Sequence, residues 1–206
     1  MSTSIKLLFL AGSARKASLN KKLAHLGADI ANAHGITSDY LELADYPLPI
    51  YDGDFEAASG APDNAVRLKA QFAAHAGIFI AAPEYNASLA PLLKNALDWV
   101  SRVRTENEAP LQVYKSRVWA LGAASPGGFG GLRGLLALRQ SLELGMGCLV
   151  LPEQVLVPRA GDAFDAHGHL HDKGQQELFK ALIQRLARAA VATHAAQTQA
   201  SDTRTN

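Results

Sequence analysis

Short apolar runs, each closed by a turn residue and followed by an amphipathic stretch, recur along this chain, and that alternation confines it to few folds. Ile5 to Ala11 (IKLLFLA) ends at Gly12, Gly77 to Ala82 (GIFIAA) ends at Pro83, and Arg117 to Ala123 runs into a glycine-rich loop. A continuous apolar run too short for a helix marks a strand buried on both faces, as in a parallel sheet. Ile36 to Leu43 and Cys148 to Leu151 are two further strand candidates. In Ser18 to Ala33, Leu19, Leu23, Leu26 and Ile30 recur at helical spacing, with Ser18 as N-cap and Gly35 as the stop. Asp63 to His75, Ser88 to Arg102, Leu132 to Leu144 and Gln175 to Ala196 read as four more helices. Segments 45–54, 105–115 and 158–173 read as irregular connections, the first because Pro47 and Pro49 interrupt hydrogen bonding.

Five strand–helix units without a linker predict one α/β domain over residues 1–196, with a mostly parallel sheet and helices on both faces. Residues 197–206 are polar and are expected to be a disordered tail. The 206 residues suffice for a buried core, and 48% apolar with 19% charged residues is ordinary globular composition. A net charge of +1 provides no broad field for nucleic acid or an acidic membrane. No run is long enough to span a bilayer, and Met1 to Lys6 shows no secretory pattern. Cys148 is the only cysteine, which excludes an intramolecular disulfide. The expectation is a cytoplasmic protein with neither nucleic-acid nor membrane partners.

Ligands of open parallel sheets sit beyond the carboxyl ends of the strands, so the loops after the first, third and fourth strands matter most. Gly12 to Asn20 (GSARKASLN) leaves the first strand and enters a helix. Free N–H groups and a partial positive charge at a helix N-terminus attract anions. Ser13 and Ser18 add hydroxyls, Asn20 an amide and Arg15 a guanidinium, which together point to phosphate. The loop carries neither G-x-G-x-x-G nor a P-loop motif. Pro83 to Ser88 (PEYNAS) follows the third strand. There Pro83 frees the backbone of Glu84, Tyr85 and Asn86 to face a planar ring, and Tyr85 could cover it. Ser125 to Gly131 (SPGGFGG) allows close approach of backbone to ligand.

Together these motifs give a resemblance. The pattern G-S-x-R-x-x-S-x-N (Gly12, Ser13, Arg15, Ser18, Asn20), the P-E-Y-N of Pro83 to Asn86, and KNALDW (Lys94 to Trp99) resemble the NAD(P)H-dependent FMN reductases. That flavodoxin-like group includes quinone, azo-dye and chromate reductases. Leu48 to Asp54 also resembles the family's segment after the second strand, and the likeness runs to about Pro158. It implies a three-layer flavodoxin-like fold with five parallel strands in the order 2-1-3-4-5. It also implies that Ser13, Arg15, Ser18, Leu19 and Asn20 hold the phosphate of flavin mononucleotide (FMN), and that Pro83, Glu84, Tyr85 and Asn86 lie along the isoalloxazine. Ser125, Pro126, Gly127 and Gly128 would border its other side; Pro126 departs from the family's usual Ser-Ala-Gly there.

The activity implied is ping-pong transfer of reducing equivalents from NADPH or NADH, through FMN, to a small-molecule acceptor: a quinone, azo dye, metal oxyanion or free flavin. The flavin carries the chemistry, so no side chain is assigned as catalytic, and Tyr85 is a positioning candidate. Homodimers or homotetramers with the third helix at the interface are implied too. A flavodoxin-type one-electron carrier is the alternative, disfavoured by the near-neutral charge, and a non-enzymatic flavin-binding module is another. His167, His169 and His171 have an alternating spacing that could ligate zinc or nickel. They lie in a polar loop, and no metal site is expected. Lys94, Asp98, Trp99 and Cys148 read as structural residues.

Overall fold

The computed structural model describes residues 5–202. Strand β1 (Leu7–Ala11) is buried at every position. Strand β2 is Ser38–Leu41, β3 is Gly77–Ala81, and a two-residue pair, β4 (Glu84–Tyr85) and β5 (Ser88–Leu89), forms a hairpin. Strands β6 (Val118–Ala124) and β7 (Leu149–Val157) complete the set. The main sheet runs β2-β1-β3-β6-β7, every pair parallel. With the hairpin set aside, that is the order 2-1-3-4-5 of a flavodoxin-like fold.

Period-two alternation assigns the two faces. Leu7, Phe9 and Ala11 point to one layer, with helices α1 (Leu19–Ala33) and α7 (Lys173–Asp202). Leu8 and Leu10 point to the other, with α3 (Asp63–Ala73), α4 (Pro91–Arg102) and α6 (Leu132–Gln140). Phe9, Phe79 and Phe179 form an aromatic chain through the first layer, with centroids 5.8 and 5.2 Å apart. Phe72, Tyr114 and Trp119 pack together in the second. Tyr114 belongs to the short helix α5 (Gln112–Lys115), which lies inside the connection expected to be irregular.

Several expected boundaries move. Helix α2 (Gly53–Ser59) begins inside the proline-rich connection, where Asp52 accepts from the N–H groups of Asp54 and Phe55 and caps it. It buries no residue, so it leaves no apolar pattern to read. Strand β7 continues six residues past Leu151. Pro152 lacks an N–H, and the register jumps there from Trp119–Val150 to Leu121–Gln154 before pairing resumes. The fourth predicted helix ends at Gln140 and closes in a π-type turn over Ser141–Gly145. Residues 197–202, expected in a disordered tail, continue α7; residues 203–206 lie outside the described residues. Ala195, Ala196 and Gln197 favour helix, no Gly or Pro stops it, and Gln197 Nε2 donates to Ser116 O at 3.1 Å.

Lys94 pairs with Asp98 at 2.8 Å, one turn apart. Trp99 is fully buried and its Nε1 donates to Pro49 O at 2.7 Å, which ties the turn-rich segment to α4. Cys148 is buried, and that burial pushes its thiol up to about 12. His167, His169 and His171 lie in a tight loop in which Asp165 Oδ1 accepts from the N–H groups of His167 and His169. No group of three metal-ligating side chains occurs among the described residues. Nor is any helix among them long and apolar enough to cross a membrane.

At the opposite end of the sheet from the ligand loops, buried His75 holds Asp39 of β2. His75 Nδ1 lies 2.7 Å from Gln71 O and Nε2 lies 2.9 Å from Asp39 Oδ2. The His75 hydrogen bond, outweighing desolvation and helped by Lys6, holds the Asp39 carboxyl below its ordinary value of 3.8. A carboxyl lowered in the folded state stabilises above its unfolded value, and that contribution is lost as pH falls through the folded value. Asp39→Asn should therefore cost about 1 kcal/mol at pH 7, with Asp39 half exposed. The difference from the parent should shrink below about pH 4. Urea midpoints at pH 7 and pH 3.5 measure both.

Candidate functional site

The carboxyl ends of β1, β3 and β6 converge on one crevice of about 430 Å3, counting its open mouth. Ten of the thirteen residues predicted from sequence line it: Ser13, Arg15, Ser18, Leu19 and Asn20 from the first loop, Pro83, Glu84 and Tyr85 from the second, and Ser125 and Pro126 from the third. Asn86, Gly127 and Gly128 do not; they occupy the turns just beyond. Ala124, the last residue of β6, also lines the crevice.

In the first loop, Gly12 N donates to Ala81 O at 2.9 Å, which fixes where the chain leaves β1. Ser13 Oγ accepts from Arg15 N at 3.3 Å, and Arg15 Nη2 donates to Ala17 O at 3.0 Å, so the loop curls on itself. Ser18 takes the N-cap position of α1, yet its side chain makes no capping bond. The first-turn N–H groups of α1 have no intrahelical partner, and no acidic residue sits in that turn. Lys21 and Lys22 lie there instead, at the positive end of the helix dipole. Lys21 is offset by Glu42 at 2.7 Å. An unspent hydroxyl, unpaired N–H groups and excess positive charge, with Ser13 and Ser18 largely buried, make a receptor for an anion.

Asn20, which lines the crevice, also braces it. Its Nδ2 donates to Ala124 O at 3.0 Å and its Oδ1 accepts from Ala124 N at 2.9 Å, both buried. The side chain is committed to the end of β6, because an unpaired strand terminus there would leave buried backbone groups unsatisfied. One amide N–H remains for a ligand. No sequence signal connects positions 104 residues apart.

The second loop is more ordered than a free turn. Glu84 pairs with Leu89 and Tyr85 with Ser88 across the hairpin, so part of the backbone expected to face a ligand is engaged. Asn86 (φ +50°) and Ala87 (φ +64°) form the turn, both left-handed as a type I′ turn requires. The Glu84 carboxylate is bound to the first turn of α6. It accepts from Arg133 Nε at 2.7 Å and from Gly134 N at 3.1 Å. Burial raises its pKa, but these two donors outweigh burial and hold the carboxyl below its ordinary range. Gly134 allows the approach: a Cβ there would lie 3.0 Å from Glu84 Cβ. The hairpin is thereby clamped on α6, and Tyr85 projects half exposed at the crevice. Arg133 and Gly134 escaped the sequence reading because nothing local links them to Glu84.

In the third loop, Ser125 N donates to Val157 O at 3.0 Å, and Ser125 Oγ accepts from Gly127 N at 3.2 Å. Gly131 ends the loop at φ +89°, and a Cβ there would fall 2.5 Å from Ala123 Cβ.

Comparison with known proteins agrees with this geometry. Residues 5–162 match the family described as NADPH-dependent FMN reductase. The chain is 37% identical over 190 residues to an NAD(P)H-dependent FMN reductase of Pseudomonas aeruginosa, covering 90% of this chain and 95% of that protein. It is 31% identical over 195 residues to a quinone reductase of Escherichia coli, covering 90% and 99%. Among solved structures, the flavoenzyme NAD(P)H:(acceptor) oxidoreductase FerB of Paracoccus denitrificans superposes with a TM-score of 0.70 at 26% identity, covering 91% of this chain and 96% of that one. An anion-receiving loop on a 2-1-3-4-5 sheet and a family match over most of the chain lead to one conclusion: this chain belongs to the NADPH-dependent FMN reductase family.

Proposed function

We propose that the protein is an NAD(P)H-dependent oxidoreductase that holds FMN in the β1–β3–β6 crevice and reduces a quinone-type acceptor. The observation that carries this is the coincidence, in one crevice, of an unsatisfied anion receptor at the α1 N-terminus with a tyrosine-bearing hairpin. Quinone reductases of E. coli and Pseudomonas putida among the relatives support the acceptor class. Azo dyes, metal oxyanions such as chromate, and free flavin are the other acceptors to compare.

The residues fit the cofactor end by end. Arg15, the hydroxyls of Ser13 and Ser18, and the N–H groups of Leu19 and Asn20 would hold the phosphate. Pro83, Tyr85, Ser125 and Pro126 offer flatter, less polar walls to the ring system. When bound, FMN accepts a hydride from the nicotinamide and passes reducing equivalents on, so the two substrates take turns at one site. The chain's own part is to bind, orient and shield. Among the described residues, Glu84 is the only carboxylate lining the crevice. Its clamp to Arg133 and Gly134 removes it as a proton acceptor, which fits a site without a side-chain acid or base. Tyr85 would position whichever substrate occupies the open face.

Assembly as a homodimer or homotetramer is part of this reading. Leu136, Leu144 and Leu149 are 55%, 82% and 52% exposed on successive elements ending at edge strand β7, apolar surface that self-association would cover. A cytoplasmic setting fits an enzyme whose hydride donor is a nicotinamide nucleotide.

The FMN-loaded protein should lose its flavin absorbance when NADH or NADPH is added anaerobically. Unchanged absorbance with both would refute the oxidoreductase reading. Arg15→Ala should weaken FMN binding by about 1.5–3 kcal/mol, the contribution of a charge-assisted bond. Fluorescence titration of the apoprotein measures it, and unchanged affinity would remove Arg15 from the site.

A further inference from the structure

Beside the crevice, two loops fuse into one rim. Arg159 N donates to Gly127 O at 3.3 Å, Ala160 N donates to Ser125 O at 2.9 Å, and Ser125 N donates to Val157 O. Gly130 permits the contact, since a Cβ there would lie 3.0 Å from Pro158 N. The rim sits where β6 and β7 end, the ligand edge of the sheet. Two of its side chains do little for the fold. Phe129 is 67% exposed; one side of its ring rests 5.3 Å from the Arg133 guanidinium and the rest is open. Arg159 is exposed and pairs with no carboxylate among the described residues. Its backbone is held at φ +48°, a left-handed conformation that disfavours any residue with a Cβ. That conformation opens the short 3-10 turn Ala160–Asp162, and the side chain of Arg159 supports nothing internal.

We propose that this rim binds the adenosine half of the nicotinamide donor, with Phe129 stacking on adenine and Arg159 pairing with the 2′-phosphate, so that the enzyme prefers NADPH to NADH. The chemistry matches on both counts. An adenosine 2′-phosphate presents a flat π face and, beside it, a compact dianion; the rim presents an open aromatic ring and an uncommitted guanidinium. Gly127, Gly128, Gly130 and Gly131 flank Phe129 and give it room to meet the base. With the adenosine end on the rim, Ser125 and Pro126 lead directly into the crevice where the nicotinamide must arrive. The inference rests on the oxidoreductase reading and adds the residues that select the donor.

Steady-state kinetics of the FMN-loaded enzyme with 1,4-benzoquinone as acceptor tests it. Arg159→Ala should raise KM for NADPH about tenfold, the loss of one charge-assisted contact, while KM for NADH moves less than about twofold. Phe129→Ala should raise KM for both nucleotides several-fold and leave KM for 1,4-benzoquinone unchanged. Arg159→Gly relieves the left-handed strain, so it should raise the thermal midpoint and still lose the NADPH preference, which separates ligand recognition from folding. If the NADPH/NADH ratio of kcat/KM in both Arg159 variants equals that of the parent, the rim assignment is wrong while the oxidoreductase reading stands. If the parent oxidises neither nucleotide, both fall.

Discussion

The paired hydrogen bonds between the Asn20 amide and the backbone of Ala124 decide how the crevice is built. They join the first turn of α1 to the carboxyl end of β6 with both partners buried and satisfied. A parallel sheet leaves the backbone at its strand ends without ladder partners, and loops must satisfy it or leave it facing a ligand. Here one side chain satisfies Ala124 and in the same stroke fixes the α1 N-terminus beside the third loop. Ser18 is thereby relieved of tying the helix down, and its hydroxyl stays free. The anion site proposed above depends on that division of labour, in which Asn20 positions the helix and the Ser18 hydroxyl makes no capping bond.

The other wall follows a similar logic. Glu84 lines the crevice, but the Arg133 and Gly134 donors turn it into a clamp between the β4–β5 hairpin and α6. The clamp holds Tyr85 at the mouth of the crevice and keeps negative charge from opposing a phosphate. Both devices place hydrogen-bonded polar groups behind the ones left to meet ligand, so the crevice is braced before anything binds.

Much of this was legible in the sequence because the strands are continuous apolar runs and the ligand loops follow them at once. The helix periodicity of Leu19, Leu23, Leu26 and Ile30 and the glycine at the end of β1 placed the anion loop without further help. What escaped was long-range or unpatterned. Helix α2 buries nothing and so shows no amphipathic stripe. Pro152 hid the second half of β7, which resumes pairing after a register jump. The end of α7 is polar and carries no apolar stripe, and the Ser116 carbonyl that anchors Gln197 lies 81 residues away. The roles of Asn20 and Glu84 rest on partners 104 and 49–50 residues off, which no local window sees.

In the proposed reading the α1 N-terminal loop grips a phosphate and by that grip fixes the redox ring beside Tyr85. Comparing the affinities of the apoprotein for FMN and for riboflavin, which differ only in that phosphate, tests it most directly. If Arg15, Ser13, Ser18 and the helix N–H groups act as described, FMN should bind about a hundredfold or more tightly than riboflavin, and the gap should narrow as salt rises. Equal affinities would contradict the account at its base.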